Sequence, residues 1–143
     1  MNKDDCLFCK IVEGKIPSAK IFEDEYTLAF MDIGPVIKGH TLVIPIRHYD
    51  PIMETPADIL EKLIVTVQKI AQAQIKGLSA DGVNVIQNNG SAAGQEVGHI
   101  HFHVIPRFKD DGHHWNWKAG KYESSTEMAK ISEQIIDALT RVE

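Results

Sequence analysis

The chain has 143 residues, is 43% apolar and carries a formal net charge of −5 at pH 7. This length and apolar content predict one domain, residues 1–143, with a hydrophobic core. The acidic balance argues against nucleic-acid binding, whose affinity rests on Lys and Arg contacts to phosphates. No stretch approaches the ~20 apolar residues of a membrane span and no apolar segment follows the polar start, so we expect a cytoplasmic protein without membrane contacts.

The N-terminal part of the sequence predicts a short helix and three strands. The helix is expected over residues 10–14, where Gly14 ends it. Runs of β-branched and aromatic residues predict strands at 19–23, 27–31 and 41–45. An acidic turn separates the first two strands, which therefore form a hairpin.

A long amphipathic helix is predicted after the third strand. Thr55 is the expected N-cap, and Pro56 occupies the first helical position. Apolar residues then recur at three- and four-residue spacing as far as Gly77. The recurring residues are Ile59, Leu60, Leu63, Ile64, Val67, Ile70, Ala71 and Ile75.

The remaining sequence predicts two more strands and a last helix. The strands are expected at 83–87 and 98–106, joined by a loop at 90–94. The last helix opens with a capping box from Ser124 to Glu127. Its apolar face consists of Met128, Ile131, Ile135, Leu139 and Val142.

This element order predicts an α+β fold with a five-stranded, mainly antiparallel sheet, one long helix and a C-terminal helix. An exposed sheet edge and two apolar helix faces further predict a two-fold homodimer that buries the long helix and the edge. The polar stretch 109–123, which contains His113, His114, Trp115 and Trp117, is either a substrate or dimer contact or a simple surface loop.

The segment 98–106 alternates three histidines with apolar residues. As a β-strand it places His99, His101 and His103 on one face and the apolar side chains on the other. Same-face neighbours lie about 6.6 Å apart and the outer two roughly 13 Å apart, too far for all three to hold one small ion or phosphate. We therefore expect the three imidazoles to serve different purposes.

Cys6 and Cys9 form a Cys-x-x-Cys pair. Two thiols so close together are no disulfide framework, so metal binding, redox chemistry and idle thiols remain open. With two imidazoles the pair would make a closed tetrahedral zinc site, and His48 and His99 are the available donors.

The residues His99 to Ile105 resemble the His-x-His-x-His motif of the HIT superfamily of nucleotidyl hydrolases and transferases. Residues 30–33, 39–45, 88–90 and 94–97 resemble further family segments in the family's order. The start at Cys6 resembles bacterial members of the histidine triad nucleotide-binding branch. The resemblance implies a HIT-like fold, a homodimer with joined sheets, and hydrolysis of purine nucleoside phosphoramidates or dinucleoside polyphosphates at the α-phosphorus.

The resemblance also implies roles for individual residues. His101 corresponds to the nucleophile, which forms a nucleotidyl-imidazole intermediate, and His103 and His40 contact the phosphate. Asp32 corresponds to the ribose ligand. The phosphate-side contacts are Asn88, Gly94 and Gln95, and the residues around the base are Phe8, Ile11, Phe30 and Ile33. Glu96 departs from the Ser common in eukaryotic members, and a carboxylate cannot donate that Ser hydrogen bond.

The loop 90–95 is also a phosphate cradle by its own chemistry, because glycine lets backbone N–H groups approach an oxygen closely. Resemblance to zinc-containing bacterial members favours structural zinc on Cys6, Cys9, His48 and His99, with no catalytic metal. Two other classes stay open: a cupin-like metalloenzyme, which would need a nearby Glu that is absent until Glu123, and a nucleotide-binding regulatory module with little turnover.

Overall fold

The structure, a computed structural model, describes residues 3–142. It divides into two compact units, one ending at His113 and the other beginning at His114. The first unit contains the sheet and two helices, and the second contains the C-terminal helix. That both act as one domain stays a prediction.

Five strands form one sheet in the first unit: β1 (Lys20–Glu23), β2 (Thr27–Met31), β3 (Thr41–Pro45), β4 (Gly82–Gln87) and β5 (Phe102–Arg107). Their order is β1-β2-β3-β5-β4, and every neighbouring pair is antiparallel. The predicted α+β class is confirmed. The predicted bounds of β2 and β3 are confirmed, whereas β1 and β4 each begin one residue away from the prediction.

Successive side chains of a strand point to opposite faces of the sheet, and here both faces carry apolar side chains. One face packs against helix α2 (Ala57–Leu78) through Ala29, Val43, Ile100, Phe102 and Val104. The opposite face packs against helix α1 (Leu7–Val12) through Leu28, Phe30, Leu42 and Ile44. His103 pairs with Leu42 in the register of β3 and β5, so its side chain lies on the α1 face.

The histidine segment is only partly a strand, which corrects the prediction of a strand over 98–106. β5 begins at Phe102, and the preceding residues leave the ladder because Ile100 donates its N–H to the carbonyl of Tyr49 at 2.7 Å. The alternation nevertheless holds. Ile100 lies in the α2 core, whereas the rings of His99 and His101 lie against Phe8 on the α1 side.

The predicted starts of the first two helices need correction. α1 begins at Leu7 rather than at residue 10, because the Cys6 thiol accepts a hydrogen bond from the N–H of Cys9 at 3.4 Å and acts as the N-cap. α2 begins at Ala57 with Pro56 as N-cap. The Thr55 hydroxyl does not cap it and instead donates to the carbonyl of Pro51 at 2.8 Å.

The apolar stripe of α2 is wider than the sheet covers. Ile59, Leu63, Val67 and Ile70 are buried as predicted, but Ile64 is 52% and Ile75 is 43% exposed. Val85 of edge strand β4 is also exposed, and it lies on the same side of the sheet, since it pairs with Val104. An apolar surface therefore continues outward from the core.

The second unit contains helix α3 (Ser125–Leu139). The predicted capping box is half formed: Ser124 Oγ accepts from the N–H of Glu127, but the Glu127 carboxylate accepts from the N–H of Glu123, one residue before the N-cap. The five residues of its predicted apolar face are all exposed by 40% or more. Within residues 3–142, no helix has the length and apolar content that spanning a membrane requires.

Candidate active site and metal cluster

Three histidines converge where the start of β3 lies beside β5. His40 precedes β3 and His103 lies on β5, one diagonal step away in an antiparallel pair. Their ring centroids are 5.1 Å apart, and those of His101 and His103 are 5.0 Å apart. The structure thus brings together the three residues predicted as catalytic.

Hydrogen bonds fix which ring nitrogen of each imidazole carries the proton. His40 Nδ1 accepts the N–H of Val36 at 3.1 Å, so the neutral ring carries its proton on Nε2. That Nε2 lies 2.9 Å from His103 Nδ1, to which it donates. His103 Nδ1 is therefore an acceptor, and the neutral ring keeps its own proton on Nε2 as a donor.

His101 carries its proton on the other ring nitrogen, Nδ1. Its Nδ1 lies 2.7 Å from the carbonyl oxygen of His99, which can only accept, so Nδ1 carries the proton and Nε2 keeps its lone pair. Burial lowers the pKa of His101 because the charged form is poorly solvated there, and the same cause lowers the pKa of His40 and takes that of His103 to about 4. His101 Nε2 thus carries the lone pair of a neutral imidazole at neutral pH, which is the state that a nitrogen nucleophile requires.

These imidazoles border a cavity of about 430 Å³, within the range of small-molecule sites. Its apolar walls include Phe8, Ile11, Phe30 and Ile33. Of the residues predicted to contact the ribose or the phosphate, Asp32, Asn88 and Gly94 line the cavity, together with the three histidines.

Gln95 is the predicted ligand contact that does not line the cavity. Its Oε1 accepts the N–H of Gly90, and its Nε2 donates to Asp50 Oδ1 at 2.7 Å and to the carbonyl of Val97 at 2.9 Å. The Gln95 side chain therefore stabilises the loop 90–95 and connects it to Asp50 and Val97.

The same loop differs from the predicted cradle. The N–H groups of Gly90, Ala93, Gly94 and Gln95 all donate to acceptors inside the loop, where Gly90 and Gly94 adopt positive φ of +85° and +90°. These four donors are already engaged, so they do not form the anion-binding nest that the glycines suggested. The glycines serve the backbone shape instead.

A second cluster lies beyond His99. Sγ of Cys6 and of Cys9 lie 3.4 and 3.6 Å from His99 Nδ1, and Cys9 Sγ lies 3.4 Å from His48 Nδ1. A tetrahedral zinc with bonds of about 2.1 Å to nitrogen and 2.3 Å to sulfur has such ligands about 3.6 Å apart. His99 Nε2 donates to the carbonyl of Pro45 at 2.9 Å, which leaves the Nδ1 lone pair facing the thiols. Geometry and donor chemistry fit zinc.

The trio Asp32, His40 and His103 also offers three possible ligand atoms close together. It does not fit a metal in the same way, because His40 Nδ1 accepts the Val36 N–H and Nε2 must then carry the proton. The carboxylate has another contact: Asp32 Oδ1 accepts the N–H of Gly34 at 2.8 Å. The arrangement therefore speaks against the cupin-like alternative.

Two residues near the site were missed from sequence. Gln74 of α2 is buried and donates through Nε2 to the carbonyls of Gly39 at 3.1 Å and Val104 at 2.9 Å, the neighbours of His40 and His103. The sequence feature that could have indicated Gln74 is an amide side chain within the apolar stripe of a helix. The N–H of Val36, which sets the tautomer of His40, leaves no signal in sequence.

Fold and site together define a histidine-triad protein, in which paired and hydrogen-bonded imidazoles border a ligand-sized cavity. The HIT domain family matches residues 13–110. The chain belongs to the HIT family.

The relatives and solved structures agree with this assignment. An uncharacterised HIT-like protein of Methanocaldococcus jannaschii is 51% identical over 107 residues, covering 75% of this chain and 82% of that protein. The adenosine 5'-monophosphoramidase of Candida albicans is 35% identical over 146 residues, covering 96% and 93%.

Among solved structures, a HIT family member from Bacillus subtilis has a TM-score of 0.86 and 43% identity, covering 93% of this chain and 96% of that chain. A Zn-bound histidine triad family protein from Mycobacterium smegmatis has a TM-score of 0.76 and 38% identity, covering 96% and 99%.

Proposed function

We propose that this chain hydrolyses purine nucleoside phosphoramidates at the α-phosphorus through a covalent nucleotidyl intermediate on His101. One observation carries the proposal: the His99 carbonyl holds the Nδ1 proton of His101, so that the Nε2 lone pair belongs to a neutral imidazole on a ligand-sized cavity. The monophosphoramidase of Candida albicans, similar over nearly the whole chain, supports the reaction class.

The reaction has two displacements at phosphorus. In the first, His101 Nε2 attacks and the phosphorus–nitrogen bond breaks, its electron pair going to the nitrogen, which takes a proton from solvent and leaves as an amine. In the second, water attacks phosphorus, the bond to Nε2 breaks and its electron pair returns to the imidazole. The products are a nucleoside monophosphate and a proton released to solvent.

His103 and His40 supply the charge stabilisation that the displacement needs. Because His40 donates to His103 Nδ1, the remaining proton of His103 lies on Nε2 and can be donated to a phosphoryl oxygen. The backbone N–H of Val36 donates to His40 at the other end of this series of hydrogen bonds, so the Nε2 donor of His103 is oriented before the substrate binds.

The cavity wall supports a nucleoside ligand. Phe8 and Phe30 pack edge to face at 5.5 Å and, with Ile11 and Ile33, offer an apolar slot to a base. Asp32 lies between this slot and the histidines and can accept the two hydroxyls of a ribose. A slot with few polar groups implies a modest purine preference.

We also propose that zinc binds Cys6, Cys9, His48 and His99. With four protein ligands such an ion has no open position, so its contribution is to hold α1 and the His99 backbone in place. The Zn-bound relative of Mycobacterium smegmatis supports this.

A two-fold homodimer is proposed for the same protein. The exposed stripe of α2 and the edge strand β4 form one apolar surface with Ile64, Ile75 and Val85. An uncovered strand edge next to such a surface is normally paired or covered.

The deciding experiment compares turnover of adenosine phosphoramidate, diadenosine tetraphosphate and guanosine phosphoramidate by the purified protein and by His101→Ala. We expect the phosphoramidates to be cleaved fastest and the variant to lose at least about three orders of magnitude in rate. Preferred cleavage of the tetraphosphate would change the substrate class, and binding without turnover would indicate a regulatory nucleotide-binding module.

A further inference from the structure

The cavity has an unbalanced charge. Among residues 3–142, the side chains that line it include the carboxylates of Asp32 and Glu96 and no Lys or Arg. One ring nitrogen each of His40 and His103 is occupied as a hydrogen-bond acceptor, which favours the neutral form of both rings. The ligand must therefore bring its phosphate to a wall that offers two carboxylates and no Lys or Arg to balance it.

Of the two carboxylates, Glu96 is the one without an internal role. Asp32 accepts the N–H of Gly34 and lies 3.6 Å from His40 Nε2. Within the described residues, the Glu96 carboxylate has no hydrogen-bond or ion-pair partner, and its side chain is exposed. An unengaged charge on a cavity wall is available to a ligand.

Glu96 directly follows the loop 90–95 in the chain. It lines the cavity together with Asn88, Gly94 and His101, which the family resemblance assigns to the phosphate. The residues proposed for the base belong to α1, to β2 and, with Ile33, to the segment after β2. A negative charge at this place is felt by whatever is attached to the reacting phosphorus.

We propose that Glu96 is a specificity-determining residue that selects leaving groups carrying a positive charge and disfavours anionic ones. The inference rests on the proposed function and narrows its substrate class to phosphoramidates of amines with a cationic tail. A cation there is attracted by Glu96 and balances the negative phosphate, whereas the second nucleotide of a dinucleoside polyphosphate is repelled.

The test uses three adenosine 5'-phosphoramidates whose amine tails have equal length and end in an ammonium, a methyl or a carboxylate group. For the wild type we expect kcat/KM to fall in that order. In Glu96→Gln the ratio between ammonium and carboxylate substrates should shrink by about tenfold, and in Glu96→Lys the order should reverse. The matched control is Glu61→Gln, which removes an exposed charge on α2 outside the cavity and should keep the wild-type ratio.

Binding of the same three compounds, measured by calorimetry, separates this inference from the proposed function. If none of them is hydrolysed, the proposed function is wrong, while a ratio of Kd values that depends on Glu96 still supports the charge selection. If Glu96→Gln keeps the wild-type ratio in both turnover and binding, the inference about Glu96 is wrong.

Discussion

Replacing Gln74 with Leu tests whether helix α2 holds His40 and His103 in place through the backbone next to them. Gln74 donates to the carbonyls of Gly39 and Val104, which adjoin His40 and His103. Leucine keeps most of the volume and removes both donors. If this amide fixes the distance between the start of β3 and the part of β5 beside it, its loss should disturb the contact between the two imidazoles.

The expected cost in stability is small. The two hydrogens of Gln74 Nε2 make two neutral hydrogen bonds, which contribute about 1 kcal/mol each; the further contact to Thr41 Oγ1 is longer, at 3.4 Å. The Gly39 carbonyl keeps the Thr41 hydroxyl at 2.9 Å as a donor, and among the described residues the buried Gln74 Oε1 has no partner, so removing it returns about 1 kcal/mol. The net loss in the free energy of unfolding is therefore about 1 kcal/mol, too little to unfold a typical domain.

The expected cost in turnover is larger. Misplacing a reacting group by 1 Å costs up to about a hundredfold in rate, so a shift of a few tenths of an ångström predicts a drop in kcat of about tenfold. KM should change little because Gln74 does not line the cavity. Steady-state kinetics and urea denaturation measure both effects, and ¹⁵N shifts of His40 and His103 report their tautomers.

Thr66→Val is the matched control. Thr66 is another buried polar residue of α2, and its hydroxyl bonds that of Thr27 at 2.8 Å, outside the cavity lining. It should lose about 1 kcal/mol of stability and keep its kcat. Equal kcat values for Gln74→Leu and Thr66→Val would refute the positioning role.

Three further predictions follow from the proposed zinc site, the buried imidazoles and the exposed surface of α2. Protein purified without chelator should contain about one equivalent of zinc, and Cys9→Ser should lose the metal and lower Tm; less than about a tenth of an equivalent in the wild type would contradict the site. The folded pKa of His103, about 4, lies below its usual 6.5, so the unfolded chain binds more protons between these values and the free energy of unfolding should fall as pH drops from about 6.5 to about 4. Urea denaturation should show a weaker fall in His103→Asn, and an identical pH dependence would exclude this cause. Sedimentation of the wild type and of Ile21→Lys should give the mass of two 16.0 kDa chains, and Ile64→Lys should give the mass of one. The two isoleucines are about equally exposed, but only Ile64 lies on the proposed interface. A monomeric wild type would argue against the dimer.

The sequence predicted well those elements whose pattern reflects local chemistry. Strands β2 and β3 are continuous, largely apolar runs, and Ser124 caps α3 through a hydrogen bond within its own first turn. The gathering of Cys6, Cys9, His48 and His99 also agrees with the structure, although the ion itself stays a prediction.

What the sequence did not predict depends on contacts between distant segments. β5 starts late because Ile100 pairs with Tyr49, a partner that periodicity does not show. Gln95 braces its own loop because Asp50 lies within its reach, so a residue assigned by resemblance to the ligand has a structural partner as well. The tautomers of the three clustered histidines depend on two backbone groups, the N–H of Val36 and the carbonyl of His99, together with the contact between His40 and His103. They could not be derived from residue types.

The central claim is the covalent intermediate on His101, and trapping it is the most direct test. A phosphorus–nitrogen bond to imidazole is labile in acid and fairly stable in base, so an alkaline quench during turnover of adenosine phosphoramidate should preserve an adenylyl adduct. Mass spectrometry should locate it on His101, while His101→Ala forms none and folded His99→Ala still does. An adduct on another residue, or rapid turnover by His101→Ala, would contradict the account.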